Sequence, residues 1–172
     1  LADVNAAIAA VRGVNVDTTA EVQALVDVEI AEDVALAKIA AYADDNTNPA
    51  PTVQDYADAG ASGVDAANLA DVNAAIVAVS GVNVDTTAEV QAFVDVEIAE
   101  DVALAKIAAY ADDNTNPAPT VQDYIDAGVT GVDAANLADV NAVVDGVSGV
   151  EADTTLEVQA LVDSYPLYRG FA

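Results

Sequence analysis

The sequence contains no cysteine, histidine, methionine or tryptophan among its 172 residues. Without cysteine, the chain has neither a disulfide framework nor a thiolate metal site. Without histidine, it lacks the commonest general base, the commonest zinc ligand and the side chain that titrates near neutral pH. Because these absences remove most of the side chains on which enzymatic chemistry depends, the sequence predicts that the protein is not an enzyme and binds no cofactor.

Basic residues are also scarce, since four Lys and Arg stand against 30 Asp and Glu and give a formal net charge of −26. Such a surplus of negative charge repels nucleic acid phosphates and anionic membrane surfaces, so both are excluded as partners. No apolar run approaches the roughly 18 residues that a bilayer-spanning helix needs, and no membrane insertion is expected. Yet 54% of the residues are hydrophobic, too many for a disordered acidic chain. We therefore expect a folded, soluble monomer.

A tandem repeat organises the whole chain. The string Leu-Ala-Asp-Val-Asn-Ala begins at residues 1, 69 and 137, which gives a period of 68 residues. Between the first two copies, 62 positions are identical and six differ. The differences are Ala9/Val77, Arg12/Ser80, Leu25/Phe93, Ala57/Ile125, Ala61/Val129 and Ser62/Thr130. Since the sequence begins within a repeat, at Leu rather than Met, we expect it to be a fragment of a longer repetitive protein.

Start and stop signals divide each period into three helices. Asp65 is predicted to cap a medium helix over about 66–79, and Gly81 to end it in the left-handed conformation. The capping box formed by Thr86 and Glu89 opens a long helix, which nothing interrupts from 88 to 111.

A short helix completes the period. Thr120 is predicted to cap it with Asp123 at the capping-box position, and Gly128 to close it. Val121, Tyr124 and Ile125 are predicted to face inward. The first period repeats these signals with Thr18/Glu21, Thr52/Asp55 and Gly60.

The long helix carries two apolar stripes. In the first period, Val22, Leu25 and Val26 share one face. The second stripe is turned by roughly a quarter of a circle and consists of Val28, Ala35, Leu36, Ile39 and Tyr42. One helix with two stripes is typical of a helix shared by two adjacent bundles.

The predicted fold is therefore all-α, with tandem small helical bundles that share long continuous helices. Boundaries at Asp27/Val28 and Asp95/Val96 give a partial module 1–27, two helical-bundle repeats, 28–95 and 96–163, and a non-repeat tail, 164–172. The alternative is a three-helix module, 18–81, joined to its neighbours by loops. Modules joined by continuous helices would form a semi-rigid, rod-like array, whereas flexible linkers would not. The tail aromatics Tyr165, Tyr168 and Phe171 either begin a different domain or pack on the last helix.

Carboxylates are the only abundant reactive groups. Pairs such as Glu32/Asp33 and Asp44/Asp45 would need one member in an apolar environment to divide the roles of acid and base. Because their positions on polar faces and at helix ends indicate solvated carboxylates, no catalytic or cofactor-binding residue is assigned.

Two segments, Asp44–Asp55 and Asp112–Asp123, partly match a calcium-binding loop. Positions 1, 3, 5 and 12 are occupied by Asp44, Asn46, Asn48 and Asp55, and in the second period by Asp112, Asn114, Asn116 and Asp123. However, Pro49 and Pro117 stand where glycine is required, and Asp replaces the bidentate Glu. A helix exit explains the same residues, since Asn and Asp favour turns and Pro prevents continuation. No metal ligand is assigned.

The tyrosines Tyr42, Tyr56, Tyr110 and Tyr124 lie in apolar stripes and are predicted to be core residues with a solvated hydroxyl, the alternative being a ligand platform.

Three strings in the repeat carry a resemblance to a known class of proteins. They are Ile39-Ala-Ala-Tyr-Ala-Asp-Asp-Asn-Thr-Asn-Pro-Ala-Pro-Thr-Val-Gln-Asp-Tyr56, Asn68-Leu-Ala-Asp-Val-Asn-Ala-Ala75 and Asp126-Ala-Gly-Val-Thr-Gly-Val132. They resemble helical repeats of very large bacterial surface adhesins of the RTX and biofilm-associated groups, which are exported by type I secretion. The resemblance covers residues 1–163 and implies an extracellular, cell-surface location with ligand-binding domains elsewhere.

Two functions are consistent with these observations. The first is a structural extender, or stalk, that projects the binding domains of an adhesin away from the cell, with neighbouring repeats as its only necessary partners. The alternative is a repeated three-helix module that binds a host or matrix protein and gains affinity by avidity. Its best candidate surface is the short helix with its flanking loops, Thr52–Val64 and Thr120–Val132.

Overall fold

The computed structural model describes residues 2–11 and 16–168, and the regular secondary structure in these ranges is helical. No strand occurs in these ranges, which confirms the all-α prediction. The α-helices are α1 (Ala2–Ala10), α2 (Thr19–Asp44), α3 (Val53–Asp58), α4 (Leu69–Val77), α5 (Thr87–Asp112), α6 (Val121–Asp126), α7 (Leu137–Val144) and α8 (Thr155–Tyr168), with 3₁₀ helices at Gly81–Asn83 and Gly149–Glu151. None of the described helices combines the length and the apolar character that crossing a bilayer requires.

The chain divides into two compact units, Leu1–Asp95 and Val96–Ala172. The division falls inside α5, between the two residues at which the sequence places one of its module boundaries. The second boundary, at Asp27/Val28, and the assignment of 28–95 and 96–163 as separate domains remain predictions.

Each unit buries the same set of hydrophobic positions. In the second unit, eleven buried residues form one cluster: Ala103, Ile107, Ala111, Tyr124, Ala127, Val129, Val140, Val144, Ala152, Val158 and Val162. In the first unit, the buried hydrophobic residues are those 68 positions earlier: Ala35, Ile39, Ala43, Tyr56, Ala59, Ala61, Val72, Ile76, Val84, Val90 and Val94. Burial therefore follows the period of the sequence, and the helical module is repeated in the structure.

Helix α5 contributes buried residues to both units. Val90 and Val94, from its first part, are fully buried in the first unit, whereas Ile107 and Ala111, from its second part, belong to the core of the second unit. The two predicted stripes are thus both used. The inclusion of Val28 in the second stripe was wrong, because Val28 is 61% exposed. Helical spacing predicts the side of the helix on which Val28 lies. It does not predict whether a neighbouring element packs against the helix at that point along its axis.

The helix starts follow the predicted capping signals. Thr18, Thr52 and Thr120 each accept the backbone N–H of the third helical residue, and the acidic side chain there accepts the N–H of the threonine. The Thr86/Glu89 pair makes the same reciprocal bonds, at 3.3 and 3.2 Å. Gly60 and Gly128 end the short helices with φ of 77° and 70°, as predicted.

Two predictions about the medium helix were wrong. The helix begins at Leu69 rather than near 66, because the Asp65 carboxylate accepts the N–H groups of Ala67 and Asn68 and holds a separate turn there. Gly81 is not left-handed and instead begins a 3₁₀ helix. A Cβ at Gly81 would lie 2.5 Å from the carbonyl oxygen of Ala40, so glycine is needed there for close approach of two backbones.

The start of the non-repeat tail continues α8 as far as Tyr168. Tyr165 packs against the core of the second unit, and its hydroxyl donates to the Asp139 carboxylate at 2.9 Å. For this part of the tail, the structure agrees with packing on the module. Phe171 and Arg12 lie outside the described residues.

Candidate functional site

The segment that the sequence singles out as a binding surface is built around the short helix of each unit. In the first unit, Thr52 caps α3, Tyr56 points into the core and Gly60 turns the chain back. Beyond the turn, the side chain of Gln91 holds the loop, since it accepts the N–H of Ser62 at 2.7 Å and donates to its carbonyl at 3.1 Å. The segment is therefore fixed at both ends, and only its outer face is open to a partner.

The outer face of the short helix differs between the copies at one position. In the second unit, Ile125 is 55% exposed, so the prediction that it faces inward was wrong. Its counterpart Ala57 is also exposed. A helix of this length has room for one buried stripe, and Tyr124 with Ala127 occupies it. The Ala57/Ile125 difference is consequently a change of surface, not of core.

A buried polar chain links the short helix to the medium helix. In the second unit, the Tyr124 hydroxyl donates to Asn141 Oδ1 at 2.7 Å, and Asn141 Nδ2 donates to the carbonyl of Pro119 at 3.0 Å. Tyr56, Asn73 and Pro51 make the same contacts in the first unit, at 2.7 and 3.1 Å.

These contacts confirm that Tyr56 and Tyr124 are core residues. The prediction of a solvated hydroxyl was wrong for both, because each hydroxyl donates to an asparagine of the medium helix instead. Burial, followed by the negative charge of neighbouring groups, raises the pKa of both phenols well above its ordinary value. The two asparagines were not predicted to be part of this contact. The sequence feature that could have identified Asn73 and Asn141 is their position directly after a buried valine, Val72 or Val140, in each copy of the medium helix.

Each short helix also holds the described lysine of its unit. Lys38 Nζ lies 2.5 Å from Asp55 Oδ2, and Lys106 lies at the same distance from Asp123. Burial alone would raise the pKa of Asp55 and Asp123, but hydrogen bonds from the lysine and the capping threonine outweigh it and lower the pKa of both. Among the described residues, the positive charges are therefore neutralised locally, and the exposed charge is negative.

The calcium-loop residues do not converge on a common point. Asp44 Oδ1 accepts the N–H of Gly81 at 2.7 Å, Asn48 Nδ2 donates to the carbonyl of Ala41 at 2.9 Å, and Asp55 is engaged by Lys38. Asp45 accepts the N–H of Thr47, which lowers the pKa of Asp45. Within the described residues, no group of three acidic side chains has the geometry of a metal site. The local structure is a helix exit, which is the alternative interpretation of these residues.

The remaining carboxylate pair, Glu32 and Asp33, lines an open groove of about 520 Å³ in the first unit, together with Asp3, Glu29 and Asp85. The Thr87 hydroxyl reaches Glu32 Oε1 at 2.5 Å and the carbonyl of Ala59 at 2.8 Å, so it ties the start of α5 to two other elements. The groove is open to solvent, and its apolar lining is limited to Ala6, Ala7 and Leu36. It therefore does not enclose one carboxylate in the apolar surroundings that separate a general acid from a general base.

The described residues thus form contacts between the helices of each unit and an acidic exterior. Among them, no nucleophile and base are brought together. Comparison of the chain with protein-family models, with curated proteins and with solved structures found no match.

Proposed function

We propose that this chain is an extender region of an extracellular bacterial adhesin, whose helical modules hold binding domains away from the cell. The observation that carries the proposal is the double use of α5. This helix has 26 residues, and it supplies buried side chains to the first unit before Asp95 and to the second unit after Val96. A helix fixes the distance between its ends at about 1.5 Å per residue, whereas a flexible linker does not.

The surface chemistry supports the same role. A net charge of −26 keeps neighbouring chains apart and a long exposed array in solution. The absence of cysteine suits a protein that is exported and folds without disulfide formation. The resemblance of the repeat to helical repeats of RTX and biofilm-associated adhesins points to the cell surface.

Small-angle scattering on arrays with two, four and six copies of the 68-residue period tests the extender. We expect the maximum dimension to grow nearly linearly with the number of copies. A flexible linker inserted between Asp95 and Val96 should abolish this growth, and the same linker inserted in the exposed turn between Asn114 and Thr115 serves as the matched control. Growth as the square root of copy number, or an insertion at Asp95 without effect, would refute the proposal.

The extracellular location has its own test. Antibodies raised against the chain should label intact cells of the organism that makes it. Labelling that requires cell lysis would contradict this part of the proposal and leave the extender geometry untouched.

The second candidate function is binding of a host or matrix protein by the short-helix surface. It is favoured by the exposed Ile125, since a large aliphatic side chain on an otherwise polar helix face is a suitable anchor for a protein contact. Purified host serum and matrix proteins should then bind a two-unit chain saturably, and Ile125→Ala should remove the binding. Gln122→Ala, one turn away, is the control.

A further inference from the structure

The long helix of the first unit carries apolar side chains on its outer face. In α2, Ala35, Ile39 and Ala43 are buried and define the face that is turned to the core. At about 100° per residue, the opposite face of the helix carries a row of aliphatic residues, which we call the outer stripe. Its members are Ile30, Val34, Ala37 and Ala41, and all four are exposed.

The second unit has the same outer stripe on α5. Its members are Ile98, Val102, Ala105 and Ala109. Val102 is 64% exposed, against 65% for its counterpart Val34 in the first unit. Ala105 and Ala109 are exposed as well, and Ile98 is partly buried. Because the stripe is open to solvent in both units, its exposure is a property of the repeated module.

The spacing of the outer stripe fits a second helix. Its members follow one another at intervals of four, three and four residues. This is the spacing at which one helix packs a row of side chains against another. From Ile30 to Ala41 the stripe is roughly 16 Å long, or about three helical turns. An apolar row of this length, on the side opposite to the core, is available to a helix from outside the unit.

The charge beside the outer stripe of α2 is negative. Asp33 and Asp44 lie along one edge of the stripe and Asp27 along the other, and all three are exposed. Lys38 also lies at the second edge, but its Nζ pairs with Asp55 Oδ2 at 2.5 Å. The positive charge is therefore neutralised within the unit, and the carboxylates that border the stripe face the solvent.

The second unit repeats this pattern of charge. Asp101 and Asp112 border the stripe of α5 and are exposed, and Lys106 pairs with Asp123 at 2.5 Å. A second copy of the chain is a poor occupant of such a face, because each copy carries a net charge of −26. A helix that carries lysine or arginine beside an apolar row has the opposite charge and is attracted to this exterior.

We propose that the outer stripe of each unit is a docking site for a cationic amphipathic helix. The apolar row of the partner packs along the stripe, and its basic side chains meet the aspartates at the edges. The proposal goes beyond the extender role, since it concerns the exterior of single units and not the distance that an array spans.

The test titrates the full chain with a labelled helical peptide of leucine and lysine, about 14 residues long so that it covers the stripe, whose leucines form one face. We expect saturable binding of one peptide per unit, followed by fluorescence anisotropy at about 0.15 M salt. A peptide of the same composition, with its leucines distributed around the helix, should bind at least about tenfold more weakly. Equal affinities of the two peptides would show attraction by charge alone and would overturn the proposal.

Matched substitutions locate the contact. Val34→Glu with Val102→Glu places two carboxylates in the outer stripes, whereas Val28→Glu with Val96→Glu places them on the opposite side of the same helices. The four valines are similarly exposed, at 65, 64, 61 and 60% in that order.

Both double variants gain the same negative charge, so attraction by charge alone would strengthen the binding of the peptide to both. We expect the stripe variant to bind at least about tenfold more weakly than the unsubstituted chain, because an apolar contact is lost and a carboxylate is desolvated. The other variant should bind no more weakly than the unsubstituted chain. Equal binding by the two variants would overturn the assignment of the face.

Sedimentation of the chain without peptide tests the other occupant. We expect a monomer, and a dimer that the stripe variant fails to form would show that a second copy covers the stripe and would overturn the proposal. Arrays that lengthen linearly while the peptide fails to bind would remove only this inference, and the reverse result would remove only the extender.

Discussion

Substitution of Asn141 by Ala is the most direct test of how a module is held together. Asn141 is 8% exposed and is the one buried polar side chain among the described residues. Its amide accepts from the Tyr124 hydroxyl at 2.7 Å and donates to the carbonyl of Pro119 at 3.0 Å. The substitution therefore removes one side chain and leaves two buried polar groups without their partner.

The magnitude follows from these two groups. A buried polar group left unsatisfied costs about 1–3 kcal/mol, so the pair costs about 2–6 kcal/mol. Alanine returns roughly 0.5 kcal/mol because it is a better helix former than asparagine. We expect Asn141→Ala to lower the free energy of unfolding by about 3 kcal/mol. Asn73→Ala should cost less, about 1–2 kcal/mol, because Asn73 is only partly buried and water can replace the lost amide.

The assay is urea unfolding of the full chain, followed by circular dichroism, with hydrogen exchange in α7 to localise the loss. Asn114→Ala is the control, since its contact with Asp145 lies on the surface, and it should change stability by less than about 0.5 kcal/mol. If Asn141→Ala were no more destabilising than Asn114→Ala, the buried polar chain would have no structural role and the reasoning would be wrong.

Three further predictions address the junctions and the charges. Gly149→Ala should lower the free energy of unfolding by more than about 1 kcal/mol, because the new Cβ would lie 2.6 Å from Asp112 Oδ2 and 2.8 Å from the Ala108 carbonyl oxygen. Gly146→Ala is the control and should cost less in the same urea assay, because its nearest contact is at 3.3 Å. Lys106→Met should raise the lowered pKa of Asp123 toward its ordinary value of 3.8, as read by NMR titration. Since the folded pKa of Asp123 is the lower one, the pair stabilises the fold above the ordinary carboxyl range, and that contribution is lost as pH falls through the folded value. The melting temperature should respond equally to Ca²⁺ and Mg²⁺ at matched concentration, because both ions only screen the acidic surface; a rise specific to Ca²⁺, reversed by a chelator, would contradict this.

The positions of most elements could be read from the sequence, because their signals are local. A capping box needs only a threonine and an acidic residue three positions later, and Thr18, Thr52 and Thr120 all cap helices as predicted. The left-handed glycines after the short helices are equally local. The failure at Asp65 is local as well, because a turn onto the N–H groups of Ala67 and Asn68 competes with the predicted cap. The failure at Gly81 has a different origin. Gly81 is fixed by the backbone of Ala40, which lies in another helix and is remote in sequence.

The candidate sites show the same division. The calcium-loop residues have partners in other elements, since the Asp44 carboxylate accepts the N–H of Gly81 and Asp55 pairs with Lys38. Local sequence does not show these contacts. Ile125 was predicted to face inward because it is hydrophobic. In a helix as short as α6, however, the hydrophobic residues alone do not identify the buried face. Only the packing of Tyr124 in the core settles which side of α6 is exposed.

The sequence by itself determined the period, the helix content and the double use of the long helix, because identical strings 68 residues apart carry the same capping signals and the same apolar stripes. The tertiary structure decided which of those residues meet. The pairing of Tyr124 with Asn141, the close approach at Gly81 and the exposure of Ile125 depend on segments brought together in space. A chain can repeat its apolar pattern in every copy, but whether a given residue is buried depends on which segments pack against it.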